Sequence, residues 1–584
     1  MPQPKSSRGK KTETTIDWRR LHHEARRFNV QQFRPGQRET IEAVLRGRDV
    51  LGIMPTGSGK SLTYQLPALL LPSATVVVSP LISLMQDQQQ KAEDADIEAA
   101  KLNSTLTRTE EDEVQDAIRE GEHQLIYVTP ERLENREYLD LLKKSGVSLF
   151  VVDEAHCISQ WGHDFRPAYL GLRDAIQDVG HPPVLALTAT ATPQVEEDIV
   201  RQLGLKSPVT VNTGIDRSNL FLEVLRTVNR EEKLGAIRRV LRETNGTGLL
   251  YTATVRTTNE LYQWLKDDGV AVERYHGQMK AREREDVQQR FMQNEFRILV
   301  ATKAFGLGID KPDIRFIIHY NFPDSLESYY QEAGRAGRDE KPARCTLLYR
   351  LEDRRIQGYF LGGKYPRRDH SQKVYRALSE MSEQPERAAG VKIPDLITAS
   401  GIPERRVKVI VSQLESAGIL ERRRAGLRKL RDFANSHELE QFLTDYEQRH
   451  LDDRERLQAM MRYAEITTCR MRFLREYFAE DAGENCDHCD NCRRREQGKL
   501  PQAEPAPTGA GANPELALLG NPERLPEFLQ QTLHEREMFQ IGDHVRHKRF
   551  GSGQVIEISG DNLTIQFDGP GSKRVHSNYV HKAA

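Results

Sequence analysis

The run Val50-Leu51-Gly52-Ile53 passes directly into Met54-Pro55-Thr56-Gly57-Ser58-Gly59-Lys60-Ser61 and then into a helical pattern, an order of strand, glycine-rich turn and helix that few folds accommodate. A strand followed by a helix returns to its sheet by a crossover, so the chain is committed to parallel βαβ units. Short apolar runs then alternate with helical patterns as far as Arg350. Thr75–Val78, Gln124–Val128, Leu149–Val152 and Val184–Leu187 are expected to complete one sheet, and Gly248–Tyr251, Val270–Glu273, Arg297–Val300, Phe316–Ile318 and Cys345–Leu348 to form a second. Two sheets predict two α/β domains, over residues 16–208 and 209–355, with a cleft in which a ligand could couple their motion.

At 584 residues the chain exceeds what one hydrophobic core supports, since domains run to about 100–200 residues. Residues 365–435 and 436–496 read as helical with basic punctuation. Residues 497–535 read as a flexible linker, because Leu500 to Pro514 is rich in Pro, Ala and Gly. Residues 536–584 carry glycine turns between alternating runs such as Gln554–Ile558 and Leu563–Phe567, the pattern of a small β-barrel. Residues 1–15 are basic and polar, lack the apolar stretch of a secretory signal, and read as a disordered tail. No run of about 18 apolar residues could span a bilayer, so nothing suggests a membrane protein and a cytoplasmic one is expected. The net charge of −1 decides nothing about nucleic acid, because an average hides local clusters of Lys and Arg.

The glycine-rich turn has the context that a phosphate-binding loop needs, with Thr56, Gly57, Ser58, Gly59, Lys60 and Ser61 closing on phosphates ahead of a helix. Lys60 would reach the β- and γ-phosphates, and Ser61 would hold Mg²⁺. Met54 stands where the strict consensus has its first glycine. Downstream, Val151-Val152-Asp153-Glu154-Ala155-His156 sets two carboxylates at the end of a buried strand, Asp153 suited to Mg²⁺ and Glu154 to orienting and deprotonating an attacking water. In the second domain Gln331-Glu332-Ala333-Gly334-Arg335-Ala336-Gly337-Arg338 offers two guanidinium groups, Arg335 and Arg338. Cations supplied across a cleft stabilise charge on a γ-phosphate only when the domains close. Alone, each motif has a plainer reading, as a turn, a helix cap or a surface ion pair. Their occurrence together, in this order, favours nucleotide hydrolysis.

Four of the six cysteines, Cys469, Cys486, Cys489 and Cys492, have the spacing C-x16-C-x2-C-x2-C. Four thiolates close the tetrahedral shell of Zn²⁺ and leave no position for substrate, so a structural site is expected rather than disulfides.

Together these residues resemble a superfamily 2 helicase built on two tandem RecA-like domains, and finer matches point to the RecQ family. Phe28-Asn29-Val30-Gln31-Gln32-Phe33-Arg34-Pro35-Gly36-Gln37 looks like the family's adenine-recognition motif, which implies that Gln37 reads the base edge and Arg34 supports it. Val30 stands where the family usually has an aromatic residue, so looser nucleotide selectivity is expected. Ser159-Gln160-Trp161-Gly162-His163-Asp164-Phe165-Arg166-Pro167 looks like the RecQ aromatic-rich loop, with Trp161 and Phe165 as stacking faces and His163 and Arg166 as polar contacts to DNA. Ser79, Pro80, Asn103 and Ser104 would approach the DNA backbone, and Leu187–Thr192 would link the sites. Ala301–Pro312 resembles motif V, with Gly308 and Asp310 facing the nucleotide; the family more often has Asn where Asp310 sits. Cys469-Arg470 followed by Leu474-Arg475-Glu476-Tyr477-Phe478 looks like the RecQ zinc-binding module. The resemblance implies an ATP- and Mg²⁺-dependent 3′→5′ DNA helicase, monomeric, in the bacterial cytoplasm or nucleoid, acting on single-stranded and duplex or forked DNA in repair or recombination. An RNA-directed ATPase of the same superfamily, and a duplex-binding tether whose ATPase only switches affinity, are the alternatives.

Ile393 to Ile419 reads helix, turn and helix, with Gly401 in the turn and Val407, Ile410, Val411 and Leu414 along one face. Arg422, Arg423, Arg424, Arg428, Lys429 and Arg431 follow around Gly426. This looks like a winged helix with a basic hairpin that grips duplex phosphates, the alternative being a solvated charged loop. In the better-known RecQ arrangement the winged helix follows the zinc module, so the order here is exchanged. Gly542–Gly553 looks like the Tudor-like barrel of UvrD-type helicases, which there contacts RNA polymerase. A docking module for RNA polymerase or a repair factor is expected; a weak DNA-binding barrel is equally simple physically.

Overall fold

The apolar runs of the first half are buried on both faces, as strands must be in a parallel sheet covered by helices. The computed structural model describes residues 16–80, 82–102, 108–159, 161–162, 164–306, 311–364, 368–384, 387, 390–423, 426–499, 543–547, 551–559, 562–568, 571–576 and 580–582. The tail expected at residues 1–15, the linker beyond Lys499, and Asn103, Ser104, Gln160, His163, Gly308, Asp310 and Arg424 lie outside them. The chain forms two units, Met1–Gln502 and Ala503–Ala584.

In the first unit, β1 (Val50–Ile53), β2 (Ala74–Val78), β3 (Ala99–Leu102), β4 (Leu125–Val128), β5 (Val147–Val152), β6 (Val184–Thr188) and β7 (Val209–Asn212) make one sheet in the order β3-β4-β2-β5-β6-β1-β7. Every pairing in it is parallel. The boundary expected after residue 208 is therefore corrected, because Val209–Asn212 pairs with Val50–Ile53 and completes the first lobe. This edge strand buries only Val211 of its four residues, too short and weak a pattern to assign from sequence.

The second lobe holds β8 (Leu220–Arg226), β9 (Thr247–Tyr251), β10 (Val272–Tyr275), β11 (Ile298–Ala301), β12 (Ile314–His319) and β13 (Ala343–Tyr349), again all parallel, in the order β10-β11-β9-β12-β13-β8. Both sheets are RecA-like in this sense. They present their strand ends, where connecting loops gather, to the same cleft, and that cleft positions the site.

Residues 368–432 form a separate small core. Three helices, Arg368–Ser382, Ile393–Ser400 and Glu404–Ser416, pack Val374, Leu378, Leu396, Val407, Val411 and Leu414 against a two-stranded antiparallel hairpin, β14 (Leu420–Arg423) and β15 (Gly426–Lys429). Gly401, at φ +66°, ends the second of these helices. A long helix, Ser436–Glu465, then runs back to the second lobe and delivers the chain to the four cysteines. The second unit is a five-stranded antiparallel sheet, β16 (His544–His547) to β20 (Val580–Lys582) with Gly551–Ser559, Asn562–Phe567 and Gly571–His576 between them. Val545, Val555, Ile565 and Phe567 fill its buried face. No helix among the described residues is long and apolar enough to cross a membrane.

Candidate functional site

The loop after β1 turns back on itself through two residues in the left-handed region, Gly57 at φ +87° and Gly59 at φ +78°. No other residue type fits either place without strain and collision. A Cβ at Gly57 would lie 3.1 Å from Arg338 Cγ and 3.2 Å from Arg217 Nη1; one at Gly59 would lie 2.6 Å from Gln37 Nε2. Met54, in the consensus glycine's position, is fully buried, with its methyl end beside Gly36 and Gly52. Lys60 Nζ donates to the Met54 carbonyl at 3.0 Å. Burial lowers the pKa of this lysine, Glu154 and Asp153 oppose the shift, and Arg338 reinforces it.

The two carboxylates leave the end of β5 where Asp153 N donates to Val78 O at 2.9 Å. Burial and the neighbouring Glu154 push the Asp153 carboxyl up to about 7, against the pull of Lys60 and a 2.9 Å hydrogen bond from Glu154 N. Glu154 itself sits at φ +48°, ψ 47°, a conformation that costs a non-glycine residue about 1 kcal/mol and that persists where surrounding contacts enforce it. Those contacts are visible. Tyr169 Oη donates to Asp153 O at 3.0 Å, while His156 Nδ1 lies 3.4 Å from Glu154 Oε2 and 3.1 Å from Thr188 Oγ1. Thr188 in turn donates to Thr190 O at 3.0 Å, so the Leu187–Thr192 stretch is tied to the carboxylates through one imidazole.

The second lobe supplies a cation to this loop, but one arginine of the expected pair does so and the other does not. Arg338 packs over Gly57 and lies close enough to Lys60 to disfavour its charge. Arg335 is 3% exposed, acts electrostatically on the buried Tyr251 phenol, and lies 3.7 Å from a Cβ placed at Gly306. The helix preceding them, α1 (Leu326–Ala333), ends before both, and the charges of both arginines act on the buried Tyr251.

A residue without any sequence signal completes the junction. Arg217, in the connection between the lobes, donates to Thr56 O at 2.5 Å in the first lobe and to Gly337 O at 2.7 Å and Ala336 O at 3.1 Å in the second. Its segment is held from behind, since Glu480 accepts from Ile215 N at 3.1 Å and Arg475 pairs with Asp216 at 2.5 Å. Asp216-Arg217-Ser218-Asn219 shows no periodicity or motif spacing, and only the three-dimensional meeting of distant carbonyls reveals it.

Gln37 and Arg34 are placed against the phosphate loop. The Gln37 amide donates to Ser58 O and Gly59 O at 3.1 and 3.0 Å and accepts from Arg34 N at 2.8 Å, so in this conformation its polar atoms are engaged by the loop and not turned to a base edge. Arg34 donates to Gly57 O and pairs with Glu340 of the second lobe at 2.9 Å. Thr56, Ser58 and Ser61 are half-buried in the same loop, and the buried Tyr64 phenol lies by both Ser61 and Asp153.

The aromatic-rich loop follows directly. Trp161 is half-buried against the first-lobe core, Phe165 is half-buried, and Arg166 Nη1 donates to Pro80 O at 2.9 Å, which joins this loop to the Ser79-Pro80 turn at the end of β2. Ser79 is buried. Of the basic hairpin, Arg428 is exposed. Lys429 differs from expectation: its ammonium binds Asp432 and reaches Ser379 Oγ at 3.1 Å, because its strand position points it into the helical core. Arg422 and Arg423 lie in β14, with side chains outside the described set.

The four cysteine sulfur atoms all lie within 4.8 Å of one another. A tetrahedral Zn²⁺ with bonds of about 2.3 Å separates its sulfurs by about 3.8 Å, so the donor set fits a four-thiolate zinc site. The module is fixed to the second lobe by Asp490, which takes Arg470 at 2.5 Å and accepts from Val224 N at 3.0 Å.

Comparison with known proteins bears on this geometry. Residues 34–199 match the DEAD/DEAH box helicase family, residues 232–340 the helicase conserved C-terminal domain, and residues 424–493 the RecQ zinc-binding family. The ATP-dependent DNA helicase RecQ of Bacillus subtilis (strain 168) is 42% identical over 358 residues, 61% of this chain and 60% of the relative. That of Pasteurella multocida (strain Pm70) is 43% identical over 326 residues, 56% of this chain and 51% of the relative. The probable ATP-dependent DNA helicase RecS of Bacillus subtilis is 38% identical over 386 residues, 66% of this chain and 77% of the relative. The chain thus spans little more than half the length of the two RecQ relatives.

Two outcomes follow. The folded protein keeps a proton on Asp153 up to about pH 7, whereas the unfolded chain releases it near 3.8, so ionisation favours unfolding increasingly across that window. In nucleotide-free protein, Asp153→Asn should therefore raise the thermal midpoint, with a gain over wild type that widens from about pH 4 to about pH 7 and then levels off. A gain independent of pH would contradict the buried-carboxyl account. Metal analysis of purified protein should find about one Zn per chain, and a strong chelator or Cys489→Ser should lower the thermal midpoint with its loss.

Proposed function

The chain belongs to the RecQ family of DEAD/DEAH box helicases, and we propose from that premise that it is an ATP-dependent DNA helicase that moves 3′→5′ on single-stranded DNA and separates the duplex ahead of it. One observation carries the reading: Lys60, Asp153 and Glu154 of the first lobe and Arg338 of the second interact electrostatically around a single glycine turn. Cations converging from two bodies on a loop that tolerates no side chain suit a polyanion held between them.

The roles follow from placement. Gly57 to Ser61 would cradle the phosphates, with Lys60 exchanging the Met54 carbonyl for the β- and γ-phosphates of ATP. Ser61 and Asp153 are the residues that would hold Mg²⁺, which when bound offsets the negative charge of the phosphates. Glu154 orients and deprotonates water, its unusual backbone fixing the carboxylate next to His156. Arg338 senses the γ-phosphate. Arg335 instead braces Tyr251 and the Gly306 turn, a change from a paired role. Gly308 and Asp310 are assigned to the nucleotide side of the same turn by motif alone. Trp161, Phe165 and Arg166 with Ser79, Pro80 and Asn103 form the track for single-stranded DNA, beside the carboxylates. Arg428, with Arg422, Arg423 and Arg424, grips duplex phosphates from a winged-helix fold. The C-terminal sheet is assigned as a Tudor/SH3-like barrel that docks a protein partner, RNA polymerase or a repair factor, through a face that includes the exposed Ile556. Repair or recombination in a bacterial cytoplasm, as a monomer, is the setting.

Steady-state ATP turnover and strand displacement test the reading together. Single-stranded DNA should stimulate turnover more than RNA does, and Lys60→Ala and Glu154→Gln should each reduce it by about a hundredfold or more and abolish displacement. Stimulation by RNA alone would identify an RNA-directed ATPase, and duplex binding whose affinity ATP switches, without any displacement, would identify a tether.

A further inference from the structure

The long helix Ser436–Glu465 carries Arg456 to a place where three parts of the first unit meet. Its Nη2 donates to the main-chain oxygen of Trp161, in the aromatic loop of the first lobe. Its Nη1 donates to Asp453 Oδ1 at 2.9 Å, and its Nε lies 3.9 Å from Glu327 Oε1 of the second lobe. Glu327 also accepts from Tyr477 Oη at 2.8 Å, beside the zinc site. The charges are withdrawn from solvent, with side chains 15% exposed for Arg456 and 9% for Glu327. They therefore interact more strongly than a surface pair would.

Both ends of this contact lead to the reaction centre. Glu327 stands in the first turn of α1, whose far end runs into Arg335 and Arg338. Trp161 lies a few residues beyond Glu154, and the loop is seated so tightly on the carboxylate turn that a Cβ at Gly162 would come within 2.4 Å of His156 O. Arg456 holds the loop by a backbone oxygen, so it restrains the position of Trp161 whatever base is present. If the loop moves to stack on DNA, a guanidinium largely out of water loses an acceptor, and that cost opposes the movement.

We propose that Arg456 is a latch that keeps the Trp161 loop docked in DNA-free protein, so that the helix leading into the zinc site sets the resting level of ATP turnover. Single-stranded DNA releases the latch by taking the loop. This rests on the helicase reading above in that DNA must stimulate turnover, but the docked loop itself can be observed without DNA.

The experiment uses full-length protein with Trp18→Phe and Trp264→Phe, which leaves Trp161 as the sole tryptophan of the three. Acrylamide quenching of its fluorescence and ATP turnover are measured with and without single-stranded DNA, for Arg456 and for Arg456→Ala. The latch predicts that Arg456→Ala roughly doubles the quenching constant without DNA, raises DNA-free turnover by about three- to tenfold, and leaves the DNA-saturated rate within about twofold. Unchanged quenching and unchanged DNA-free turnover would overturn it, as would loss of the DNA-saturated rate alone, which would make Arg456 a support of the active loop. Should Arg456→Ala fold poorly, judged by zinc content and thermal midpoint, Glu327→Gln weakens the same junction and should shift both readouts in the same direction. If DNA fails to stimulate the Arg456 protein, the helicase reading fails, and the quenching comparison still decides the latch.

Discussion

The structure depends on one electrostatic constraint. A lysine and two carboxylates lie half-buried together at the end of the first sheet, and an arginine from the second lobe approaches the same glycine turn. At 4 Å two unit charges interact by about 1 kcal/mol in bulk water and about 4 kcal/mol at the effective dielectric of a protein site. Such a cluster is costly unless each charge has a partner. The molecule reduces the cost in two ways: Lys60 turns to a main-chain oxygen, and desolvation with the neighbouring Glu154 pushes the Asp153 carboxyl up to about 7.

The junction between the lobes extends that constraint. Arg217 satisfies carbonyls on both sides of the cleft, Arg34 bridges Gly57 to Glu340, and the zinc-bearing region holds the connecting segment through Glu480 and Arg475. The zinc module is thus more than a stabilising appendage of the second lobe. It grips the segment about which the lobes would move and, through Arg456, the loop that adjoins the carboxylates.

Much of the fold was legible in the residues because parallel strands buried on both faces read as uninterrupted apolar runs. Most of the expected strands are present, whereas β3, β7 and β8 were missed, the first two being short edge-region strands of mixed character. The site was legible where chemistry fixes residue type and spacing together, as in Gly57 to Ser61, Asp153-Glu154 and the four cysteines. It was not legible where a side chain acts through main-chain oxygens, because such an acceptor leaves no residue type to recognise. Arg217 and Arg456 are of that kind. Orientation was equally hidden: Arg335 and Arg338 are alike in sequence, and Lys429 is as basic as Arg428, yet the local turn and the strand register send one of each pair inward.

The central claim is that the nucleotide is held by both lobes at once, with Arg338 reserved for its terminal phosphate. Equilibrium binding of a non-hydrolysable ATP analogue and of ADP, measured for wild type and Arg338→Ala, addresses it directly. The account predicts that wild type binds the analogue more tightly than ADP, by about tenfold or more for one charge-assisted contact, and that Arg338→Ala brings the ratio close to one while ADP affinity stays near wild type. An undiminished preference for the triphosphate in Arg338→Ala would contradict it.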